Sequence, residues 1–283
     1  MPLVTVLLAT HDDARFLRDA VDSVLRQTER DVELLVLDDA SSDETPQLLA
    51  AVDDPRLRVL RNDVQHGLAA SLNRGLDASD SRYVARLDAD DVALPDRLMR
   101  QLEHARASGA AVVGSAVYDL DEAGARGALH RMPQSPAAVR WHALFSSPFF
   151  HPTVLVDRDA LGALRYDTEF AESEDYDLWS RLLATGAEGT NVDEPLVLKR
   201  VHPGQASLQR RDVQKSFQRR VSLREIARVA PDLDAEQVWA GDGPSTVRLL
   251  RAFEARHGKD NEVTRAAKRR LLRAGRLWSA WRA

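Results

Sequence analysis

Asp88-Ala89-Asp90-Asp91 sets three carboxylates within four residues. It follows an apolar run, Tyr83-Val84-Ala85-Arg86-Leu87, that reads as a buried strand. It precedes Ala93-Leu94-Pro95-Asp96-Arg97, where proline suits the opening of a helix. Like charges this close repel, so the cluster calls for a cation or strong donors. Hard divalent cations take oxygen ligands, and Mg²⁺-type sites combine one or two carboxylates with substrate phosphates. The spacing points to a metal-bridged phosphate substrate, with an ordinary acidic turn as the alternative. Glu174-Asp175, at the head of a second helical pattern, is the other acidic pair. A carboxylate there can take a proton from a nucleophile, or simply favour the helix N-terminus.

The elements that must position these groups alternate. Val4 to Ala9 is a continuous apolar strand, the kind buried on both faces of a parallel sheet. The turn Thr10-His11-Asp12-Asp13 follows, then helical spacing from Phe16 through Gln27. Val32 to Leu37 is a second strand, ending in Asp38-Asp39. Ser41 or Ser42 is the expected cap of the helix through Leu48-Leu49. Leu57 to Leu60 is a third strand, Gly67 opens a helix, and Arg82 to Leu87 is the fourth strand. This alternation predicts a doubly wound, mostly parallel α/β sheet. Ligands bind such sheets outside the carboxyl ends of the strands, where Ala9-Thr10, Asp38-Asp39 and Asp88 to Asp91 all fall. Further along, Val112 to Tyr118, Thr153 to Val156 and Glu194 to His202 read as strands, and Ser135 to Phe145 and Glu174 to Thr185 as helices. From Ser207 the pattern is helical.

The bulk properties narrow the chemistry. The 283 residues carry a net charge of −5, which gives no global reason to expect nucleic-acid binding. There is no cysteine, so disulfides, thiolate metal sites and cysteine nucleophiles are excluded. The first residues lack the basic segment of a signal peptide, and no apolar run is long enough to span a bilayer. A cytoplasmic protein is expected.

The motifs, in this order, resemble the inverting glycosyltransferases of family 2, with their Rossmann-like GT-A fold. The resemblance rests on Val4 to Thr10, Leu35 to Asp43, Asn62 with His66 to Gly75, Asp88 to Asp91, and Glu174-Asp175-Tyr176-Asp177-Leu178-Trp179. It implies a mostly parallel mixed sheet flanked by helices over residues 1–207. Residues 1–110 would be the nucleotide-binding half and 111–207 the acceptor and catalytic half, followed by a helical extension over 208–283. It also implies a nucleotide-diphosphate sugar donor. Asp39 would accept from the base, which suits the ring N–H of uracil, thymine or guanine and so UDP-, dTDP- or GDP-linked sugars. Ala9 and Thr10 would flank base and ribose through backbone groups. Asp12 would touch the nucleotide or serve the turn. Asp88 would contact the ribose beside Ala89, and Asp90 would hold Mg²⁺ or Mn²⁺, with Asp91 bracing the loop. Asp175, beside Glu174, would be the general base. His202 would bind the metal or diphosphate or be structural. His151 and Trp179 would lie on the acceptor side, shaping it or packing.

Residues 264–283 carry seven Lys and Arg and no acid, with Leu271, Leu272, Leu277, Trp278 and Trp281 among them. This tail reads as a helix on an anionic membrane surface, a helix packed on the catalytic domain, or a dimer contact. The first reading would suit a lipid-linked hydroxyl acceptor at the inner face of the membrane. A sugar nucleotidyltransferase also uses strand-end aspartates and a metal, but it would show a glycine-rich basic loop near the first strand. A non-catalytic sugar-nucleotide-binding protein is the other alternative. Neither a P-loop nor a G-x-G-x-x-G fingerprint is present.

Overall fold

The computed structural model describes residues 1–170, 172–202 and 210–273. Its first third follows the expected alternation: β1 (Val4–Thr10), α1 (Ala14–Leu25), β2 (Val32–Asp38), α2 (Thr45–Ala50), β3 (Leu57–Arg61), α3 (Leu68–Ala78) and β4 (Tyr83–Arg86). β1 pairs in parallel with both β2 and β4, and β2 with β3. The two-residue period of the strands sends Val6, Leu8, Leu34 and Val36 to one face, against Leu17, Val21 and Val24 of α1. Leu7, Leu35 and Leu37 point to the other face, against Leu72 and Leu76 of α3. Gly75 allows α3 to lie close: a Cβ there would come within 3.0 Å of the side chains of Leu37 and Leu7.

The next part folds back across this sheet. β5 (Val92–Ala93), α4 (Arg97–Ser108), β6 (Val112–Leu120), β7 (Arg126–His130), α5 (Pro136–His142), β8 (Leu155–Asp157), α6 (Arg158–Leu161), α7 (Glu174–Ala184) and β9 (Gly189–Arg200) follow. The sheet order is β3-β2-β1-β4-β8-β6-β9-β5, with β7 on β6. β8 is antiparallel to both β4 and β6, whereas β6 and β9 are parallel. The sheet is therefore mixed.

Several boundaries differ from expectation. The helix expected at Pro95 begins at Arg97, because Val92-Ala93 first pairs with Val197-Leu198 of β9. His151–Thr153 is a short 3-10 turn, and the strand expected at Thr153 to Val156 starts at Leu155. β9 begins at Gly189, five residues before the expected Glu194. Its register shifts against β6 near Ser115 and Ala116, so its early polar residues break the apolar pattern.

The C-terminal helices are α8 (Arg211–Val229), α9 (Ala235–Trp239), α10 (Gly243–His257) and α11 (Asn261–Arg273). Ile226, Val238, Leu249, Phe253, Val263 and Ala267 form one cluster with Ala138, Trp141 and Leu144 of the α5 region. Trp141 meets Phe253 and Phe145 edge-on, with ring centres 5.2 and 5.5 Å away. The helices thus share a core with the sheet domain. On α11, Val263, Ala267 and Leu271 are buried while Arg265, Lys268, Arg269 and Leu272 are exposed. The tail residues Leu277, Trp278 and Trp281 lie outside the described residues, as does the Pro203 to Ser207 stretch after His202.

Candidate active site

Asp39 sits where β2 ends, and its N–H donates to the Thr10 carbonyl at 2.9 Å. Its carboxylate accepts from Asn62 Nδ2 at 2.6 Å, from the His66 N–H at 2.9 Å and from the Gly67 N–H at 2.7 Å. Burial by itself would raise its pKa. The donors from His66, Asn62 and Gly67 outweigh burial and hold Asp39 below the usual carboxylate range. Asp38 is spent on structure, bonding the Ser41 N–H and Arg61. An open cleft of about 350 Å³ adjoins this corner, between Arg61, Asn62, Asp63, Val64 and His66 on one side and Ala70 and Arg74 of α3 on the other.

Ala9 is half-buried and Thr10 is buried at the end of β1. Asp12 has a left-handed backbone, φ 55°, as does Ala40 at φ 62°. The Asp12 carboxylate accepts from the Ser42 N–H at 2.7 Å and the Asp43 N–H at 3.2 Å, and the Ser42 bond is the chief reason its pKa falls. Its own N–H donates to Ser41 Oγ at 3.0 Å. Asp12 therefore clamps the loop after β2 to the loop after β1. This corrects the expected cap of α2: both serines are drawn to Asp12, and Asp43 accepts from the Thr45 N–H instead, at 2.9 Å.

Beyond β4, one oxygen from each of Asp88, Asp90 and Asp91 lies within 4.8 Å of the others. Asp88 is half-buried and ion-paired with Arg86, and Ala89 is buried beside it. Asp90 Oδ2 lies 3.0 Å from His202 Nε2, and the His202 ring packs 5.4 Å from Phe16. The Asp90 carbonyl accepts from Arg200 Nε at 2.7 Å. Asp91 is 1% exposed; Oδ1 accepts the Arg200 N–H at 2.7 Å, and Oδ2 is buried with no partner. Burial, then Asp90, pushes Asp91 up to about 7. Three converging carboxylates, one of which keeps an oxygen without a partner, and an adjacent imidazole fit a divalent cation of the Mg²⁺ or Mn²⁺ type.

Glu174 and Asp175 open α7. Asp175 keeps part of its surface open to solvent, and its Oδ2 accepts from Ser147 Oγ at 3.2 Å. Burial raises its pKa against the Tyr176 N–H and Ser147. Glu174 is buried, and burial followed by the Asp175 charge pushes it up to about 8. His151 Nδ1 lies 3.9 Å from Glu174, too far for a hydrogen bond. Its Nε2 is 2.9 Å from the Tyr166 hydroxyl. Burial, then Arg86, holds the His151 pKa far below its usual value, so the ring is neutral. Trp179 is 1% exposed and packs behind His151, ring centres 6.3 Å apart.

Sequence reasoning passed over Arg86, Tyr166, Ser147 and Arg200. Arg86 carried a readable signal, being the one charged residue inside the apolar run Tyr83 to Leu87. The others reach the site only through long-range packing.

The family model described as Glycosyl transferase family 2 matches residues 5–161. The succinoglycan biosynthesis protein ExoO of Rhizobium meliloti is 37% identical over 202 residues, covering 66% of this chain and 57% of that protein. The chain thus spans little more than half of ExoO. The putative glycosyltransferase EpsE of Bacillus subtilis is 34% identical over 206 residues, covering 69% of this chain and 72% of EpsE. Among solved structures, the mannosyltransferase PcManGT of Pyrobaculum calidifontis, in complex with GDP-Man and Mn²⁺, superposes with a TM-score of 0.62. It is 18% identical, with 99% of this chain and 82% of that chain covered, a likeness of fold. The expected GT-A architecture is the observed one.

Proposed function

The chain belongs to glycosyl transferase family 2, and from that premise we propose that it is a metal-dependent inverting glycosyltransferase, moving a sugar from a nucleoside-diphosphate donor to an acceptor hydroxyl. The observation that carries this reading is geometric: one oxygen from each of Asp88, Asp90 and Asp91 lies within 4.8 Å of the others, and His202 Nε2 lies 3.0 Å from Asp90.

In this reading Asp39 accepts from the base of a UDP, dTDP or GDP moiety, with Ala9 and Thr10 flanking it through backbone groups and Asp12 shaping the loop. Asp88 contacts the ribose beside Ala89. Asp90, with His202, holds the divalent ion, Mn²⁺ or Mg²⁺, which when bound neutralises charge on the departing diphosphate. Asp175 takes the proton from the acceptor hydroxyl as its oxygen bonds the anomeric carbon. The bond from that carbon to the diphosphate oxygen breaks, and the nucleoside diphosphate leaves with the electron pair. Attack opposite the leaving group inverts the anomeric centre. The raised pKa of Asp175 supports this role, since a base works best with a pKa near the working pH. Neutral His151, backed by Trp179, walls the acceptor side and keeps a second positive charge away from it.

The name of ExoO ties that protein to succinoglycan biosynthesis, which supports a growing polysaccharide or glycoconjugate as the acceptor. Among the described residues no helix is long and apolar enough to cross a membrane. The exposed basic face of α11 supports a cytoplasmic enzyme that touches the inner membrane surface peripherally or dimerises there, with a lipid-linked acceptor. Family membership favours transfer over nucleotidyl chemistry. The test is a panel of UDP-, dTDP- and GDP-sugars, read by nucleoside-diphosphate release, with the product's anomeric configuration read by NMR. Release from one donor with inversion is the expected result. Binding without release points to the non-catalytic alternative, and retention removes the single-step mechanism.

A further inference from the structure

Arg86 is the last residue of β4 and is 3% exposed. Its backbone is locked on both sides: its N–H donates to the Val154 carbonyl at 3.0 Å, and its carbonyl accepts from Arg97 Nη2 at 2.7 Å. Its guanidinium pairs with Asp88, while Nε is buried with no partner. It borders a small interior cavity, otherwise mainly aliphatic, together with Tyr166 and Trp179. Tyr166 in turn holds His151. Burying a cation is costly unless counter-charges face it. Asp88 pairs with Arg86 directly, and Asp90, Asp91, Glu174 and Asp175 add their charge, yet burial still outweighs them and lowers the Arg86 pKa.

That arrangement answers a problem set by the sequence. Five acidic side chains crowd one region; Arg200 holds Asp90 and Asp91 and Arg97 faces Asp91, which leaves Arg86 as the buried cation paired with Asp88. Arginine stays charged at any working pH and offers a rigid fork of donors. A lysine would supply the charge without the fork.

We propose that Arg86 is a positioning residue for the donor site: it holds Asp88 in place, keeps the acidic loop assembled before the nucleotide arrives, and separates that loop electrostatically from the Glu174–Asp175 end. The inference rests on the donor-site reading above. Arg86 acts on the donor site through Asp88, its ion-pair partner.

The experiment is isothermal titration of the full chain with UDP, dTDP and GDP in the presence of Mn²⁺, with thermal unfolding run on each variant. Arg86→Gln is expected to weaken metal-dependent binding by on the order of 10- to 100-fold, the loss that follows when a charged hydrogen bond to a ligand-contacting side chain is removed. Arg86→Lys recovers part of that loss. If Arg86 works through Asp88, the two positions are not additive: Arg86→Gln combined with Asp88→Asn binds no more weakly than the weaker single variant. Should Arg86→Gln fail to fold, the same cycle is run with Arg86→Lys, and the same non-additivity is required. A folded Arg86→Gln that binds like wild type, or losses that simply add, overturns the proposal while leaving the donor site standing. A wild-type chain that binds none of the three nucleotides with Mn²⁺ overturns the donor-site reading, and this inference with it.

Discussion

Asp177 in α7 and Arg224 in α8 are joined by a 2.6 Å charged hydrogen bond, and Asp177 is wholly buried. The helix that carries Asp175 is thereby tied to the C-terminal helices. Tyr176 reinforces the tie through a 3.0 Å contact with Ser222 Oγ. The residues after 208 therefore help to seat the helix that carries Glu174 and Asp175. Arg224→Met leaves Asp177 with Arg181 alone, which bonds it at 2.7 Å. The expected loss is about 1–2 kcal/mol of unfolding free energy, read by denaturant unfolding, with a slower transfer rate. Unchanged stability would show that the tie carries no weight.

Asp175→Asn preserves shape and removes the proposed base. Transfer is expected to fall by about 100- to 10,000-fold, while nucleoside-diphosphate binding with Mn²⁺ stays at the wild-type level. The paired measurements are initial rates of donor consumption and titration of the nucleotide. Wild-type rates in the variant would take the base role from Asp175.

Glu174 and His151 give the pH dependence opposite slopes. The Glu174 pKa is raised to about 8 in the folded chain by burial and by Asp175, so its contribution is complete below the unfolded carboxyl pKa and is lost as pH rises through about 8. The His151 pKa is depressed by burial and Arg86, so its contribution is complete above the usual imidazole pKa and is lost as pH falls. Glu174→Gln should make the alkaline limb of stability without metal shallower, the remainder belonging to Asp91 and Asp175, whose pKa values burial also raises, and His151→Phe should flatten the acid limb. Thermal melting between pH 5 and 9 on the order of half-unit steps reads both. A slope unchanged by its own substitution assigns the limb to another group.

These residues also show where the sequence was readable. Ala9-Thr10, Asp38-Asp39 and Asp88 to Asp91 could be placed at strand ends because strand periodicity and the strand–helix rhythm are local signals. Gly67 marked the start of α3 for the same reason. The cap of α2 is not legible locally, because Ser41 and Ser42 answer to Asp12, about 30 residues earlier. The start of β9 was hidden because Asn191 and Asp193 interrupt its apolar pattern where the register shifts. Tyr166, Ser147 and Arg224 join the site or its support through packing between distant segments, which no local period records.

Titration of the purified chain with UDP, dTDP and GDP, with and without Mn²⁺, tests the central claim most directly, using Asp90→Ala and Asp39→Ala as comparisons. The account predicts that at least one of the three binds, that binding needs the metal, and that each substitution abolishes or sharply weakens it. Absence of any metal-dependent binding by the wild-type chain, or undiminished binding by Asp90→Ala, would contradict it.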